Sequence, residues 1–184
     1  MPSLPDLFNL IQHIDAQLAE AGSGSQSLDQ RPKSIPEKLT KYILVSVGDL
    51  YLAIAIEDMS EVGPLPTITF LPNLPAWIQG IVNIRSEIIS VIDLPGFIGN
   101  DGKGGGSGTR FVVLRHKKRK VGFRLDRIIG TVGRFKSDTK PLDKNQKNTS
   151  LFHFGLLVEK QFYYVLDVRK LLTAPRLVDY YRAG

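Results

Sequence analysis

The 184-residue chain has no cysteine, which excludes a disulfide framework, zinc–thiolate sites and thiol nucleophiles, and fits a reducing compartment. Histidine is scarce. His13, His116 and His153 are the three present, and none stands near another at a spacing that would build a metal site. No stretch approaches the roughly 18 consecutive apolar residues of a membrane span, and the N-terminus lacks the charged and apolar regions of a signal peptide. The expectation is a soluble, cytoplasmic protein with no membrane insertion. Catalytic motifs are missing as well: there is no Gly-x-Ser-x-Gly turn and no His-Glu-x-x-His. The glycine-rich run from Gly102 to Gly108 lacks the Gly-Lys-Ser/Thr ending of a phosphate-binding loop and reads as a linker. Asp58 and Glu61 stand at i and i+3, where solvated charge is the ordinary explanation for paired carboxylates. Without a nucleophile, base, metal set or cofactor cradle, the chain is expected to be no enzyme and to need no cofactor.

What is present begins with 42% hydrophobic residues, enough for one good core or two small ones that share a wall. Leu4, Leu7, Phe8, Ile11, Ile14 and Leu18 follow helical spacing and place one apolar stripe on an N-terminal helix, residues 1–20. Residues 21–38 are rich in Gly, Ser and Pro and read as a flexible linker. From Lys41 the pattern changes to short β-branched and aromatic runs broken by turn residues. Tyr42–Val47 and Leu50–Ile56 around Gly48-Asp49 read as a hairpin. Further strand candidates are Gly80–Ile84, Glu87–Ile92, Arg110–Arg115, Lys120–Leu125, Leu151–Val158 and Gln161–Leu166.

Net charge is +6, and much of the excess sits in the run Arg115-His116-Lys117-Lys118-Arg119-Lys120, read as a solvated hairpin turn. A basic small barrel that binds nucleic acid is the alternative reading. Phe111, Arg115, Lys120, Phe123, Arg124 and Arg127 offer interleaved aromatic and basic residues for it, but several of the aromatics fall in core positions of the strand pattern.

The β-rich region repeats itself. A shift of 69 positions aligns Tyr42 with Phe111, Leu44 with Val113, Ile54 with Phe123, Ile56 with Leu125, Glu57 with Asp126 and Met59 with Ile128. A shift of 74 to 75 aligns Gly80–Asp93 with Gly155–Asp167, each followed by a short helix candidate that Asp93 or Asp167 would cap. Two repeats of about five strands suit two small barrels packed side by side with a groove between them.

The run from Leu74 through Trp77 and Gly80-Ile81-Val82-Asn83-Ile84-Arg85 to Val91-Ile92-Asp93-Leu94 resembles the signature of CheW-like domains. The likeness covers roughly residues 39–175 and leaves 176–184 as a C-terminal tail. It implies a mainly β fold of two pseudo-repeated five-stranded β-barrels with short helices, and an adaptor function. The implied partners are the regulatory domain of a CheA-like histidine kinase and the cytoplasmic tip of a chemoreceptor, with no nucleic acid. By the same resemblance Arg85 and Glu61 are important to receptor coupling and are expected to pair near the groove, with Asn83 in the motif and Met59 and Val62 as apolar contacts. Ser86 and Ser90 replace a Gly and a Pro that are usual in the family. Together with the N-terminal helix they fit a specialised paralogue of a pilus-driven motility or phototaxis pathway.

Overall fold

Apolar residues on both faces of consecutive strands can be satisfied only by burial on both sides of a sheet. In β1 (Thr40–Val47) every residue from Tyr42 to Val47 is buried. The computed structural model, which describes residues 37–99, 108–142 and 149–183, accounts for this with two packed sheets. Ten strands form them: β1, β2 (Leu50–Ala55), β3 (Met59–Pro64), β4 (Ile78–Ile84), β5 (Glu87–Ile92), β6 (Arg110–His116), β7 (Arg119–Leu125), β8 (Arg127–Arg134), β9 (Phe152–Val158) and β10 (Gln161–Leu166). Among the described residues three α-helices accompany them, α1 (Leu94–Phe97), α2 (Val168–Thr173) and α3 (Pro175–Ala183).

The strand orders are β8-β1-β2-β10-β9 and β3-β6-β7-β5-β4. The two repeats are therefore interleaved: each sheet takes the first hairpin of one repeat and the last three strands of the other. Two side-by-side barrels, one per repeat, are not what forms. Nor is a closed barrel seen among the described residues. β3 and β4 at the ends of the second sheet are not paired with each other, and neither are β8 and β9 in the first. The segments that leave β3 and β8 each return with a single bridge, Thr69 to Ile81 and Lys140 to Gly155. β3 and β8 were not among the strands expected from sequence. Both are edge strands carrying Gly and charge, with Pro64 ending β3, and one neighbour holds each of them in register.

Three apolar clusters result. Between the sheets lie Ile43, Val45, Leu52 and Ile54 from one and Ile92, Val112, Leu114 and Phe123 from the other, closed by Leu171 and Leu177. On the far face of the first sheet are Tyr42, Leu44, Leu156, Tyr163 and Val165. On that of the second are Phe111, Val113, Val82, Ile89 and Val91. These two sets correspond position by position under the sequence shifts of 69 and 74. Each fully buried side chain of this size contributes about 1.5–3 kcal/mol by leaving water.

Two glycines permit close approaches. Gly80 has φ +141°, and a Cβ there would lie 2.4 Å from the Thr69 carbonyl oxygen. Gly122 is covered by the Phe111 ring, 2.1 Å from where a Cβ would stand. Asp167 caps α2, accepting a hydrogen bond from the Lys170 amide at 2.9 Å. Asp93 occupies the matching N-cap of α1 without a side-chain cap bond, and its backbone carbonyl accepts from the Phe97 amide at 2.8 Å. The acids aligned by the repeat also diverge: Asp126 accepts from the Gly48 amide at 2.6 Å and the Gly108 amide at 3.0 Å, whereas Glu57 pairs with Lys38 at the surface. Of the residues 176–184 set apart as a tail, 176–183 belong to α3, whose Leu177 is fully buried. The N-terminal helix, His13 and most of the two glycine-rich stretches lie outside the described residues.

Candidate functional site

Because β3 and β4 are unpaired ends of one sheet, the chain leaves a cleft between them. It has a volume of about 380 Å³, lined by Glu61, Gly63 and Leu65 on one side, Asn83 and Arg85 on the other, with Phe111 beneath. Glu61 lies directly opposite Val113 of β6, so its side chain leaves the same face as the apolar cluster that contains Val113. Arg85 sits in the two-residue turn joining β4 to β5, where Ile84 pairs with Glu87. Its φ is +50° and that of Ser86 is +67°, the backbone of a type I′ turn, whose twist matches that of the flanking strands.

This turn brings Arg85 Nε to 3.8 Å from Glu61 Oε2, with the arginine side chain 84% exposed and the glutamate 36%. The separation is too long for a hydrogen bond, and an exposed pair of this kind contributes about 0–1 kcal/mol to stability. Its physical effect is to span the open side of the sheet with opposite charges. The first sheet has no such feature, for Gly130 and Glu159 occupy the corresponding positions under the two shifts.

Asn83 joins Arg85 and Glu61 on the cleft wall. The two apolar neighbours of Glu61 part company: Val62 is 39% exposed, while Met59 packs against the core between the sheets. Ser60 is bulged between Met59 and Glu61 in the pairing with β6. The structure adds two apolar residues that sequence reasoning did not single out. Ile88, paired across from Asn83, is 73% exposed, and Phe70, next to the Thr69 bridge, is 74% exposed. The consecutive Ile88 and Ile89 within a strand candidate put one side chain on each face of the sheet, and only the structure shows that the Ile88 face is open.

Several residues of the basic run and of the set considered for nucleic-acid binding are otherwise engaged, although Arg115 and Arg127 are exposed. Phe111 and Phe123 are buried and offer no ring for base stacking. Lys120 pairs with Glu87, and Arg119 donates to the Leu172 carbonyl at 3.0 Å. His153 Nε2 lies 3.1 Å from the buried Asp167 carboxylate, which Lys170 also approaches at 3.7 Å. Among the described residues no group of His, Asp and Glu has the geometry to hold a metal ion, and no helix is long and apolar enough to cross a membrane.

Known proteins share this architecture. Residues 41–176 match the family model of the CheW-like domain. The "Chemotaxis protein CheW" of Helicobacter pylori is 24% identical over 148 residues, covering 80% of this chain and 86% of that protein. "Protein PilI" of Pseudomonas aeruginosa is 28% identical over 140 residues, covering 74% and 76% respectively. The crystal structure of the scaffolding protein TtCheW from Thermoanaerobacter tengcongensis has the same fold. It superposes with a TM-score of 0.66 at 22% identity and covers 75% of this chain and 95% of that one. With most of its ordered strands inside the matched region, the chain belongs to the CheW-like domain family, a class of non-enzymatic adaptors.

Proposed function

We propose that this protein is a cytoplasmic adaptor that couples the cytoplasmic tip of a chemoreceptor to the regulatory domain of a CheA-like histidine kinase. The observation that carries the reading is the Glu61–Arg85 pair across the open side of one sheet and its absence from the other. A repeat built for packing alone has no need of that asymmetry. The exposed pair, with Asn83 and Val62 beside it, forms a rim of charge and apolar surface suited to fixing the register of a partner. Such a protein needs no chemistry of its own. Holding receptor and kinase together makes their encounter intramolecular, so that modest affinity for each suffices. Residues 39–175 are the adaptor proper in this reading. The similarity to PilI as well as to chemotaxis CheW proteins fits a paralogue of a pilus-driven pathway.

The test is a salt-controlled titration of the protein and its Arg85→Ala variant against the cognate kinase's regulatory domain and the receptor's cytoplasmic fragment, with single-stranded DNA as a competing ligand. Saturable binding of the wild-type protein to both signalling partners is expected. Arg85→Ala should weaken receptor coupling by about tenfold or more while its melting temperature stays unchanged, because the exposed pair adds little to folding. Binding to DNA alone, lost as salt rises, would instead make the protein a nucleic-acid binder on a shared fold.

A further inference from the structure

A groove of about 760 Å³ runs between α3 and the segment leading into β4, and it shares no lining residue with the Glu61–Arg85 cleft. The two stand at opposite ends of β4, separated by roughly 25 Å of extended chain. Leu74 and Pro75 form one wall, and Asp179, Tyr180 and Tyr181 of α3 form the other. Trp77 and Ser90, both buried, make the floor.

The walls are fixed in place. Leu177 anchors α3 in the core, and the Tyr181 hydroxyl donates to the Lys120 carbonyl of β7 at 3.2 Å. The Tyr180 ring meets Trp77 edge-on at 5.9 Å. Arg176 is an exposed residue whose guanidinium lies 5.2 Å from the Trp77 ring centre and 5.6 Å from that of Phe97, and it donates to the Phe97 carbonyl at 2.9 Å. Such a cation is held by ring faces and a carbonyl. Asp179, one turn along the same helix, is exposed and has no ion-pair partner among the described residues. Arg176 and Asp179 both line the groove; the arginine is engaged by two rings and a carbonyl, which leaves the Asp179 carboxylate as the charged group there without a direct partner among the described residues.

We propose that this groove binds a proline-rich, basic peptide segment of a partner protein in the extended polyproline II conformation. Tyrosine rings beside a proline offer flat, amphipathic surfaces on which pyrrolidine rings stack, and a polyproline II segment loses little conformational freedom on docking. The Asp179 carboxylate supplies the position for an arginine or lysine flanking the prolines. A rigid, prebuilt groove also suits a ligand that is itself preorganised. This groove is separate from the Glu61–Arg85 cleft and gives an adaptor a further point of attachment.

Trp77 is the one tryptophan in the chain, so its fluorescence reports on the groove. The experiment titrates the full chain with the synthetic peptide acetyl-Arg-Pro-Leu-Pro-Pro-Leu-Pro-amide, with a counterpart carrying Glu for Arg, and with a counterpart carrying Ala for every Pro. A saturable change in Trp77 emission is expected with the first peptide, and binding at least about fivefold weaker with each counterpart. Asp179→Asn should weaken the first peptide by a similar factor without altering the melting temperature, and Asp179→Lys should reverse the preference toward the Glu peptide. Absence of a saturable response to the basic proline peptide would overturn the proposal. So would equal binding of the alanine counterpart, which would point to helical or merely electrostatic docking, or unchanged binding by Asp179→Asn.

Discussion

Asp58 ends the 3-10 turn (Ile56–Asp58) that carries the chain from β2 to β3. Burial pushes its carboxyl above the ordinary range, the neighbouring Glu57 adds to the shift, and His116 and His153 oppose it. A carboxyl that is harder to ionise in the folded protein than in the unfolded chain binds more protons when folded. Its contribution favours the fold below the unfolded-state pKa of about 4 and is lost as pH rises through the elevated folded value. Asp58→Asn removes the ionisation. It should raise stability at pH 7 and leave it unchanged near pH 3.5, as read from urea midpoints at the two pH values. A variant less stable than wild type at pH 7 would mean that the two histidines outweigh burial. The same residue-by-residue view separates the acids of the repeat. Asp167, expected from sequence as a helix cap, is buried beneath His153 and Lys170, whereas Glu61 lies partly exposed at the cleft.

At the scale of elements, the β4–β5 and β9–β10 hairpins have matching turns. Arg85 and Ser86 have φ of +50° and +67°, and Glu159 and Lys160, 74 positions later, have +48° and +69°. Each central residue of a type I′ turn lies where an L side chain is disfavoured by about 1–2 kcal/mol, which is why glycine or asparagine is common there. The glycine usual in the family at position 86 thus has a conformational cause, and the serine found here adopts the same turn at a cost. Ser86→Gly should stabilise the protein by about 0.5–1 kcal/mol and raise the melting temperature by about 1–4 °C, since relief of strain exceeds the added freedom of the unfolded chain. A lower melting temperature would show that the serine side chain itself supports the turn. Because this turn aims Arg85 across the cleft, the substitution also tests how firmly the backbone fixes the Glu61–Arg85 separation.

The arrangement of the whole molecule follows from which strands share a sheet. β1 and β2 bond to β8 and β10, and β6 and β7 bond to β3 and β5, so neither repeat owns a complete sheet. A chain divided within residues 100–107 should give two fragments that are each unfolded alone and that regain strand signal in circular dichroism when mixed. The intact protein should unfold in one cooperative transition, because the cluster between the sheets draws on both halves. A fragment of residues 108–184 that folds unaided would contradict the interleaving.

Much of this was legible in the residues. The central strands stood out because burial on both faces demands continuous apolar runs, as in Tyr42–Val47, and the duplicated frame showed that two similar units exist. The motif from Gly80 to Asp93 indicated the family, and with it the pairing of Arg85 and Glu61. Three features were beyond the sequence. The edge strands β3 and β8 gain their conformation from one hydrogen-bonded neighbour and carry no strong pattern of their own. Helix α3 was set apart as a tail because the family likeness ends near residue 175, yet its Leu177 is fully buried. The exchange of strands between repeats was hidden for a plain reason: local sequence specifies strand and turn alike in either pairing, and only the burial of a shared apolar face decides which strands lie side by side.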